Sequence, residues 1–381
     1  MRVGAAHLTY CTNIHAGESW HEVQGNILRH VVAVKQRVAP DEPFGVGLRL
    51  SARAAHELAS ARALADFQRQ LAASGLYVFT INGFPYGRFH GQPVKDAVYR
   101  PDWTEPERVA YTDLLADLLA QLLPDGVDGT ISTVPGCFKP RVTDGTAQAI
   151  ADNLARSAAH LAEIERRTGK RIVLALEPEP CCAIETLAEA EAFFAAYITD
   201  RVTDLVPARR HLGLCLDACH AAVEFEDLPA ALTALRVSGV TIAKLQLSAG
   251  LAVDPGARAQ RAALARYAND VYLHQVVARR GHELVRYADL PEALAAASAG
   301  LCDHDEWRVH FHVPIFRRAL DGFASTQPVL AELLAIHRRA PIAAHLEVET
   351  YTWDVLPPGL RDEPIADAIA RELSWVLERL R

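Results

Sequence analysis

Short apolar stretches recur along the chain, and longer amphipathic stretches separate them. Nine of the apolar stretches are predicted as strands, at 3–10, 44–51, 76–84, 129–136, 172–178, 211–217, 240–248, 307–316 and 343–353. The segments between them, such as 51–75 and 146–169, repeat apolar residues at helical spacing, and each of these two ends in a glycine suited to a helix C-cap. Strands that alternate with helices predict a parallel sheet flanked by helices.

Seven or more strand–helix units favour closure into a (β/α)8 barrel, the TIM barrel, over an open doubly wound sheet. Nine strands are predicted, whereas the barrel takes eight. The additional strand lies in a long excursion after strand seven. Within it, 271–277 and 282–288 flank an Arg-Arg-Gly turn and predict a β-hairpin. We therefore predict one α/β domain over 1–381, with 249–306 as an insertion in a βα loop. The stretch 307–316 belongs either to the barrel or to the excursion.

Successive side chains of a strand point to opposite faces of the sheet. In strand after strand, one face of this chain is aliphatic and the other is small or polar, as a barrel needs if the aliphatic face meets the helices. The second face would carry Glu177, Glu179, Asp217 and Glu347 to the C-terminal mouth of the barrel. Buried carboxylates require a partner charge or a metal ion.

Lys244 and Arg49 lie on the same polar faces and would neutralise two of these carboxylates. His310 and His312 end another apolar run, close to where the acids converge. A divalent cation would satisfy the remaining charge and would explain the histidines. The pattern therefore predicts one metal pocket at the strand ends.

Composition narrows the classes of function. The formal net charge of −8 disfavours a protein that follows nucleic acid with a basic surface. The sequence has no apolar run of about 18 residues, so we expect no membrane span, and its first residues lack the layout of a secretory signal, so we expect a cytoplasmic location. None of the seven cysteines forms a C-x-x-C pair, which makes a finger-type zinc site improbable.

The strand-end pattern resembles that of the xylose isomerase-like TIM barrels: a glutamate after strand five, D-x-x-H at strand six, a polar residue ending strand seven and a glutamate in the last strand. This superfamily includes sugar isomerases and epimerases and the endonuclease IV nucleases. Within it, the chain is most similar to the EboE-type "metabolite traffic" proteins. The distinctive stretches are 7–20, 44–51, 77–91, 98–103 and 129–136.

The resemblance implies metal ligands at Glu177, Asp217, Gln246 and Glu347. Strand seven of the isomerases usually supplies a histidine, and Gln246 stands there instead. An amide oxygen binds Mg²⁺ or Mn²⁺ but is a poor zinc ligand. The expected cofactor is therefore a divalent metal ion, Mn, Mg or Zn, and His310 or His312 would replace the missing histidine.

The nuclease branch implies further roles for histidines. His220, three residues after Asp217, matches a residue that contacts substrate in the isomerases and metal in the nucleases. His310 and His312 fall where the nucleases have a further pair of ligands, and the early-strand ligands of a three-metal site would be His7 and His90.

Our first hypothesis is a metal-dependent sugar or polyol isomerase or epimerase, or one for a sugar phosphate, in which Glu177 and Glu347 move protons through a metal-stabilised enediolate. The alternatives are a phosphoesterase of the endonuclease IV type and a non-catalytic carrier of a metabolite. The partner is a small polyhydroxylated molecule rather than nucleic acid, and homo-oligomerisation stays open. The predicted substrate-binding residues are His220, Lys244, Arg49, His7, Asn82 and His90.

Each prediction has a structural alternative. Glu177 and Glu347 would otherwise be ion-pair partners of Lys244 or Arg49, and Gln246 a hydrogen-bonding core residue. The histidines at 310 and 312 would be edge or surface positions, and His7 a core histidine. Glu179 and Glu349 lie one step beyond the predicted ligands and are either ligands or rim residues.

Overall fold

Eight parallel strands form the centre of the molecule. The computed structural model describes residues 1–199, 205–268, 271–301, 304–356 and 361–381. The barrel strands, with a short strand that precedes them, are β1 (Arg2–Val3), β2 (Ala6–Tyr10), β3 (Phe44–Arg49), β4 (Leu76–Asn82), β5 (Gly129–Thr133), β6 (Ile172–Leu176), β7 (Leu212–Asp217) and β8 (Ile242–Leu247). Strands β9 (Leu251–Val253), β10 (Val276–Arg280), β11 (Glu283–Tyr287), β12 (Glu306–Val309), β13 (Ala319–Leu320) and β14 (Phe323–Ser325) follow, and β15 (His345–Val348) completes the barrel.

The strand order around the barrel is β2-β15-β8-β7-β6-β5-β4-β3, and all of these pairings are parallel. Side chains help to close the ring between β2 and β3. The Thr9 hydroxyl donates to the Gly45 carbonyl over 2.7 Å and accepts from the Gly47 amide over 3.2 Å, and Cys11 forms a parallel bridge with Gly47. The predicted (β/α)8 barrel is therefore confirmed.

Most of the helices surround the barrel on its outer side, and the two at 258–264 and 290–298 belong to the excursion after β8. The helices are α1 (Trp20–Asn26), α2 (Val32–Val38), α3 (Ala52–Leu58), α4 (Ala61–Ser74), α5 (Pro106–Leu122), α6 (Thr146–Thr168), α7 (Leu187–Phe193), α8 (Leu205–His211), α9 (Ala218–Val223), α10 (Leu228–Ser238), α11 (Arg258–Leu264), α12 (Leu290–Ser298), α13 (Gln327–Arg339) and α14 (Ile365–Leu380). Short 3₁₀ or π segments lie at Thr12–Ile14, Ile27–Val31, Lys95–Tyr99, Lys139–Arg141, Phe194–Thr199, Ala265–Tyr267 and Tyr351–Val355. None of the described helices is long and apolar enough to cross a bilayer.

Helix ends follow the local sequence signals. α6 ends at Gly169 in the left-handed conformation, with φ of 70°, where glycine carries no steric penalty. The predicted helix over 51–75 is in fact two helices, α3 and α4. Ser60 interrupts it, because its side chain accepts from the Ala63 amide and starts a new helix.

A second, antiparallel sheet follows strand β8, with the order β11-β10-β12-β9-β14-β13. A hairpin is present as β10 and β11, paired from Val276–Tyr287 to Arg280–Glu283. Its first strand begins at Val276 rather than at residue 271, and Arg279 and Arg280 belong to that strand rather than to the turn. The stretch 307–316 belongs to this excursion, since β12 pairs with β10 and β9 and not with a barrel strand. The second sheet continues to Ser325, whereas the insertion was predicted to end at residue 306. The bounds 249–306 of the insertion stay a prediction.

The barrel strands divide their side chains between two environments as the alternation predicts. In β7, Leu212, Leu214 and Leu216 are buried in the hydrophobic core, while Cys215 and Asp217 are buried on the other face. The six cysteines among the described residues are free thiols, and Cys302 lies outside the described residues. The fold therefore carries the polar faces of the strands into the barrel interior and toward its C-terminal mouth.

Candidate functional site

A pocket lies at the C-terminal ends of the barrel strands, the end at which TIM barrels carry their active sites. Glu177 is the first residue after β6 and Glu349 the first after β15, and both line the pocket. Asn82, the last residue of β4, and Asn13 line it as well. The strand ends therefore supply a polar floor, and loops supply the rest of the wall.

Three carboxylates converge at this floor. Glu177, Asp217 and Glu349 each offer one oxygen, and these oxygens lie within 4.8 Å of one another. Among the described residues, Glu177 Oε2 and Asp217 Oδ2 have no hydrogen-bond partner. Glu349 Oε1 accepts from the side-chain amides of Asn13 and Asn82, over 2.7 and 2.9 Å. We call these three residues the carboxylate trio.

The carboxylate trio is strained electrostatically. Desolvation by burial, followed by repulsion from Glu349 and Asp217, raises the pKa of Glu177 well above its ordinary value. Desolvation, followed by repulsion from Asp217 and Glu347, raises the pKa of Glu349 to about 8. Lys244 lowers the pKa of Glu177 and of Glu349 but pairs with Glu347. Three buried carboxylates that form no ion pair with a lysine or arginine among the described residues offer the oxygen donors that a hard divalent cation requires, so the residues present fit a metal ion.

Three histidines meet beside the trio. His220 lies in α9, while His310 and His312 follow β12 of the second sheet. The Nε2 atoms of His220 and His310 are 3.2 Å apart, and those of His310 and His312 are 3.1 Å apart. All three side chains are buried. We call these residues the histidine trio.

The tautomers of the histidine trio follow from the partners of the Nδ1 atoms. His220 Nδ1 faces the Pro178 carbonyl at 2.9 Å and His312 Nδ1 faces the Glu349 carbonyl at 3.0 Å. His310 Nδ1 faces Oε1 of Gln275, whose Nε2 donates elsewhere. Since each partner is an acceptor, each Nδ1 carries the proton.

Burial favours the neutral form of His310 and of His312. Desolvation, followed by the neighbouring histidines, lowers the pKa of His310 well below its usual range, and desolvation lowers that of His312 to about 4. His310 Nε2 therefore lies close to the Nε2 atoms of both His220 and His312. Nitrogens bound to one tetrahedral zinc ion are roughly 3.3 Å apart, so the trio fits a second cation whose ligands are oriented by their Nδ1 partners.

The two trios are adjacent. Asp217 belongs to the carboxylate trio and also lies within 4.8 Å of ligand atoms of His220 and His312. Glu179 lies equally close to His220 and His310, and it accepts from the Tyr99 hydroxyl over 2.7 Å. The floor of the pocket can therefore hold one cation at the carboxylates and another at the histidines, with Asp217 between them.

Two predicted ligands lie below the pocket. Glu347, inside β15, forms an ion pair of 2.6 Å with Lys244, and both side chains are fully buried. Gln246 is also fully buried, and neither of its amide atoms has a hydrogen-bond partner among the described residues. The structure does not bring Glu347, Lys244 or Gln246 to the pocket, and Glu349 takes the place that the sequence comparison gave to Glu347.

Three predicted substrate-binding residues also lie elsewhere. Arg49 pairs with Glu18 at 3.2 Å and donates to the Gly17 and Gly87 carbonyls, so it joins two loops. His90 is buried in one of these loops, with its ring packed against Phe89. His7 lies at the opposite end of the barrel, where its Nδ1 meets the Tyr77 hydroxyl at 2.8 Å. Of the predicted substrate-binding residues, Asn82 and His220 line the pocket.

Sequence reasoning left the role of Glu349 open and did not propose Asn13, Tyr99 or Tyr351 for the pocket. The alternation placed Glu347 and Glu349 on one face, so it could not choose between them. The distinguishing signal is where the strand stops: β15 ends at Val348, and β6 ends at Leu176, one residue before Glu177. Equivalent positions therefore follow the strands rather than lie inside them.

No protein-family model matches the sequence, and no curated protein matches it. Among solved structures, an L-ribulose 3-epimerase aligns with a TM-score of 0.50 and 13% identity, over 98% of this chain and 94% of that chain. The IOLI protein with a bound zinc atom aligns with a TM-score of 0.51 and 12% identity, over 98% of each chain. These likenesses show the fold, which is a (β/α)8 barrel.

Proposed function

We propose that this protein is a metal-dependent enzyme that isomerises or epimerises a small polyhydroxylated molecule. The observation that carries the proposal is the carboxylate trio, whose free oxygens converge without an internal cation at the mouth of the barrel. A bound divalent cation would polarise a carbonyl or hydroxyl oxygen of the substrate. The fold is shared with a protein named as an L-ribulose 3-epimerase, which supports a sugar-like substrate.

The chain's own residues supply the proton chemistry. Glu177 and Glu349 follow β6 and β15, which are separated in the sheet by β7 and β8. One of these two carboxylates would remove a proton from carbon while the other returns it. Asn13 and Asn82 hold the Glu349 carboxylate in place through Oε1.

A phosphoesterase is the second candidate, and the histidine trio favours it. Enzymes that displace at phosphorus often use two neighbouring metal ions to hold the attacking and leaving oxygens. The histidine trio would hold a second cation beside the carboxylate trio, with Asp217 between them. The net charge of −8 disfavours nucleic acid as the substrate.

Two measurements separate these functions. Elemental analysis of the purified protein counts the metal ions in the native chain and in Glu177→Gln and Asp217→Asn. Proton NMR in D2O, with D-fructose and D-ribulose as probes, reads exchange of the hydrogen on the carbon beside the carbonyl. We expect bound metal and exchange in the native protein, and loss of exchange in Glu177→Gln and Glu349→Gln.

The matched control is Glu226→Gln, because Glu226 is a half-buried carboxylate outside the pocket that accepts from the Leu187 amide. It should keep both metal and exchange. Hydrolysis of bis-p-nitrophenyl phosphate without exchange, with a second metal lost in His310→Ala, would establish the phosphoesterase. A metal-free protein under every loading condition would contradict both enzymes and leave the carrier.

A further inference from the structure

The two ends of the pocket differ in character. Carboxylates, amides and imidazoles form the floor at the strand ends. The remaining wall comes from loops and is apolar, and its main residues are Phe84, Phe89, Val98, Tyr272, Leu273 and Tyr351. A substrate that reaches the floor therefore also contacts this wall.

The apolar wall is built from three separate loops that are fastened together. The ring of Phe89 lies 5.0 Å from that of Tyr272 and 5.4 Å from that of Tyr351, and the last two rings are 5.1 Å apart. The amides of Val94 and Lys95 both donate to the Val271 carbonyl, over 2.7 and 3.1 Å. These bonds join the loop after β4 to the excursion after β8, so the rings are held in fixed positions before a ligand arrives.

Positive charge is scarce at this end. Lys95 is the one lysine or arginine among the described residues that line the pocket. Its ammonium pairs with Asp289 at 2.6 Å and donates to the Tyr272 carbonyl over 2.9 Å. A phosphate group on the substrate's outer end would find this cation already engaged, and it would lie near the negative floor. Desolvating an anion against an apolar wall is costly.

We infer that the substrate is a polyhydroxylated head joined to an uncharged apolar or aromatic group, and that it is not a terminal phosphate ester. The inference rests on the proposed function, because the head must reach the carboxylate trio. The outer group packs against Phe89 and Tyr272, where aromatic contacts add to the burial of apolar surface. The head meets the floor, and Tyr99 and Tyr351 stand at the border between the two ends.

The test compares three ligands that share one head. Isothermal titration calorimetry of the metal-loaded full-length protein would measure D-fructose, 6-O-benzyl-D-fructose and D-fructose 6-phosphate. We expect the benzyl ether to bind about tenfold more tightly than D-fructose, and the phosphate to bind no more tightly than D-fructose. Tyr272→Ala should reduce the advantage of the benzyl ether to less than about threefold.

Tyr287→Ala is the matched control, because Tyr287 packs on Trp307 of the second sheet and does not line the pocket; it should keep the tenfold advantage. The ranking in the native protein tests the inference even if Tyr272→Ala fails to fold. Equal binding of the benzyl ether and D-fructose, tightest binding of the phosphate, or no binding of any ligand would each overturn the inference. The proposed function is judged separately, by metal content and hydrogen exchange.

Discussion

Two layers of buried charged residues lie one above the other inside this barrel, and their carboxylates are neutralised in different ways. In the lower layer the carboxylate of Glu347 meets the ammonium of Lys244 at 2.6 Å, with both side chains fully buried. In the upper layer the carboxylate trio converges with free oxygens and no internal cation. The lower layer contains its own cation, although the Gln246 amide and Glu347 Oε1 have no hydrogen-bond partner among the described residues, whereas the carboxylates of the upper layer would gain a cation only from a bound metal ion.

The difference shows how neighbouring positions on one strand face acquire different roles. Glu347 lies inside β15, beside Gly47, where any side chain larger than hydrogen would overlap the Glu347 carboxylate. Burial lowers the pKa of Lys244, but the Glu347 carboxylate more than reverses this and raises it above its ordinary value. Glu349, two residues further on, has left the strand and opens to the pocket. A sealed layer serves the fold, and an open layer is available for binding.

The largest expected effect comes from breaking the lower layer. Lys244→Met leaves the Glu347 carboxylate buried without its cation, which costs about 3–5 kcal/mol of unfolding free energy. Urea denaturation followed by circular dichroism measures the change. The double variant Lys244→Met/Glu347→Leu should recover most of the loss, because it removes the unpaired charge.

Lys35→Met is the matched control, since Lys35 is a buried lysine whose ammonium donates to the Ala39 and Pro40 carbonyls. It should cost only about 1 kcal/mol. A loss of that size in Lys244→Met would mean that Glu347 finds another partner, and the contrast between the layers would fail.

A middle-sized effect is expected from pH in the upper layer. Desolvation and its acidic neighbours raise the pKa of Glu349 from 4.5 to about 8 in the folded, metal-free protein. The neutral carboxyl therefore favours the folded state below pH 4.5, and this contribution is lost as pH rises toward 8. Glu349→Gln should flatten that decline, measured by urea unfolding in chelator at pH 5, 6, 7 and 8.

Metal loading provides the contrast for this prediction. A cation binds the ionised carboxylates, so loaded native protein should gain stability over the same pH interval. Parallel slopes for the native and Glu349→Gln proteins in chelator would show that Glu349 titrates normally, and the electrostatic strain assigned to the upper layer would be withdrawn.

The smallest effect concerns a hydrogen bond that orients the upper layer. The Ser248 hydroxyl donates to Asp217 Oδ1 over 2.7 Å and accepts from the Cys219 amide over 2.9 Å. Ser248→Ala should weaken metal binding about tenfold by freeing the Asp217 carboxylate. Competition with a fluorescent chelator measures this, and Ser325→Ala, a buried serine of the second sheet that donates to the Arg317 carbonyl, should bind metal as the native protein does.

The barrel and much of the chemistry of its mouth could be predicted from the sequence. The alternation of Leu and small or acidic residues in 211–217 and 171–180 placed Glu177 and Asp217 inward, because strand periodicity is a local property. The β-hairpin at 276–287 was predicted from the Arg-Arg-Gly sequence between two apolar stretches, which is likewise a local signal. His310 and His312 were identified as candidates although the sequence left open whether 307–316 belongs to the barrel or to the excursion.

Which side chains come into contact at the mouth of the barrel could be seen only in the folded structure. Whether Glu347 or Glu349 reaches the pocket depends on where β15 ends and on how neighbouring strands are staggered. The alternation of side chains along a strand gives no information on either. The pairing of Lys244 with Glu347 and the convergence of His220 with His310 join segments distant in sequence. Such contacts arise from the closure of the barrel and the docking of the second sheet over its mouth, and no local pattern encodes them.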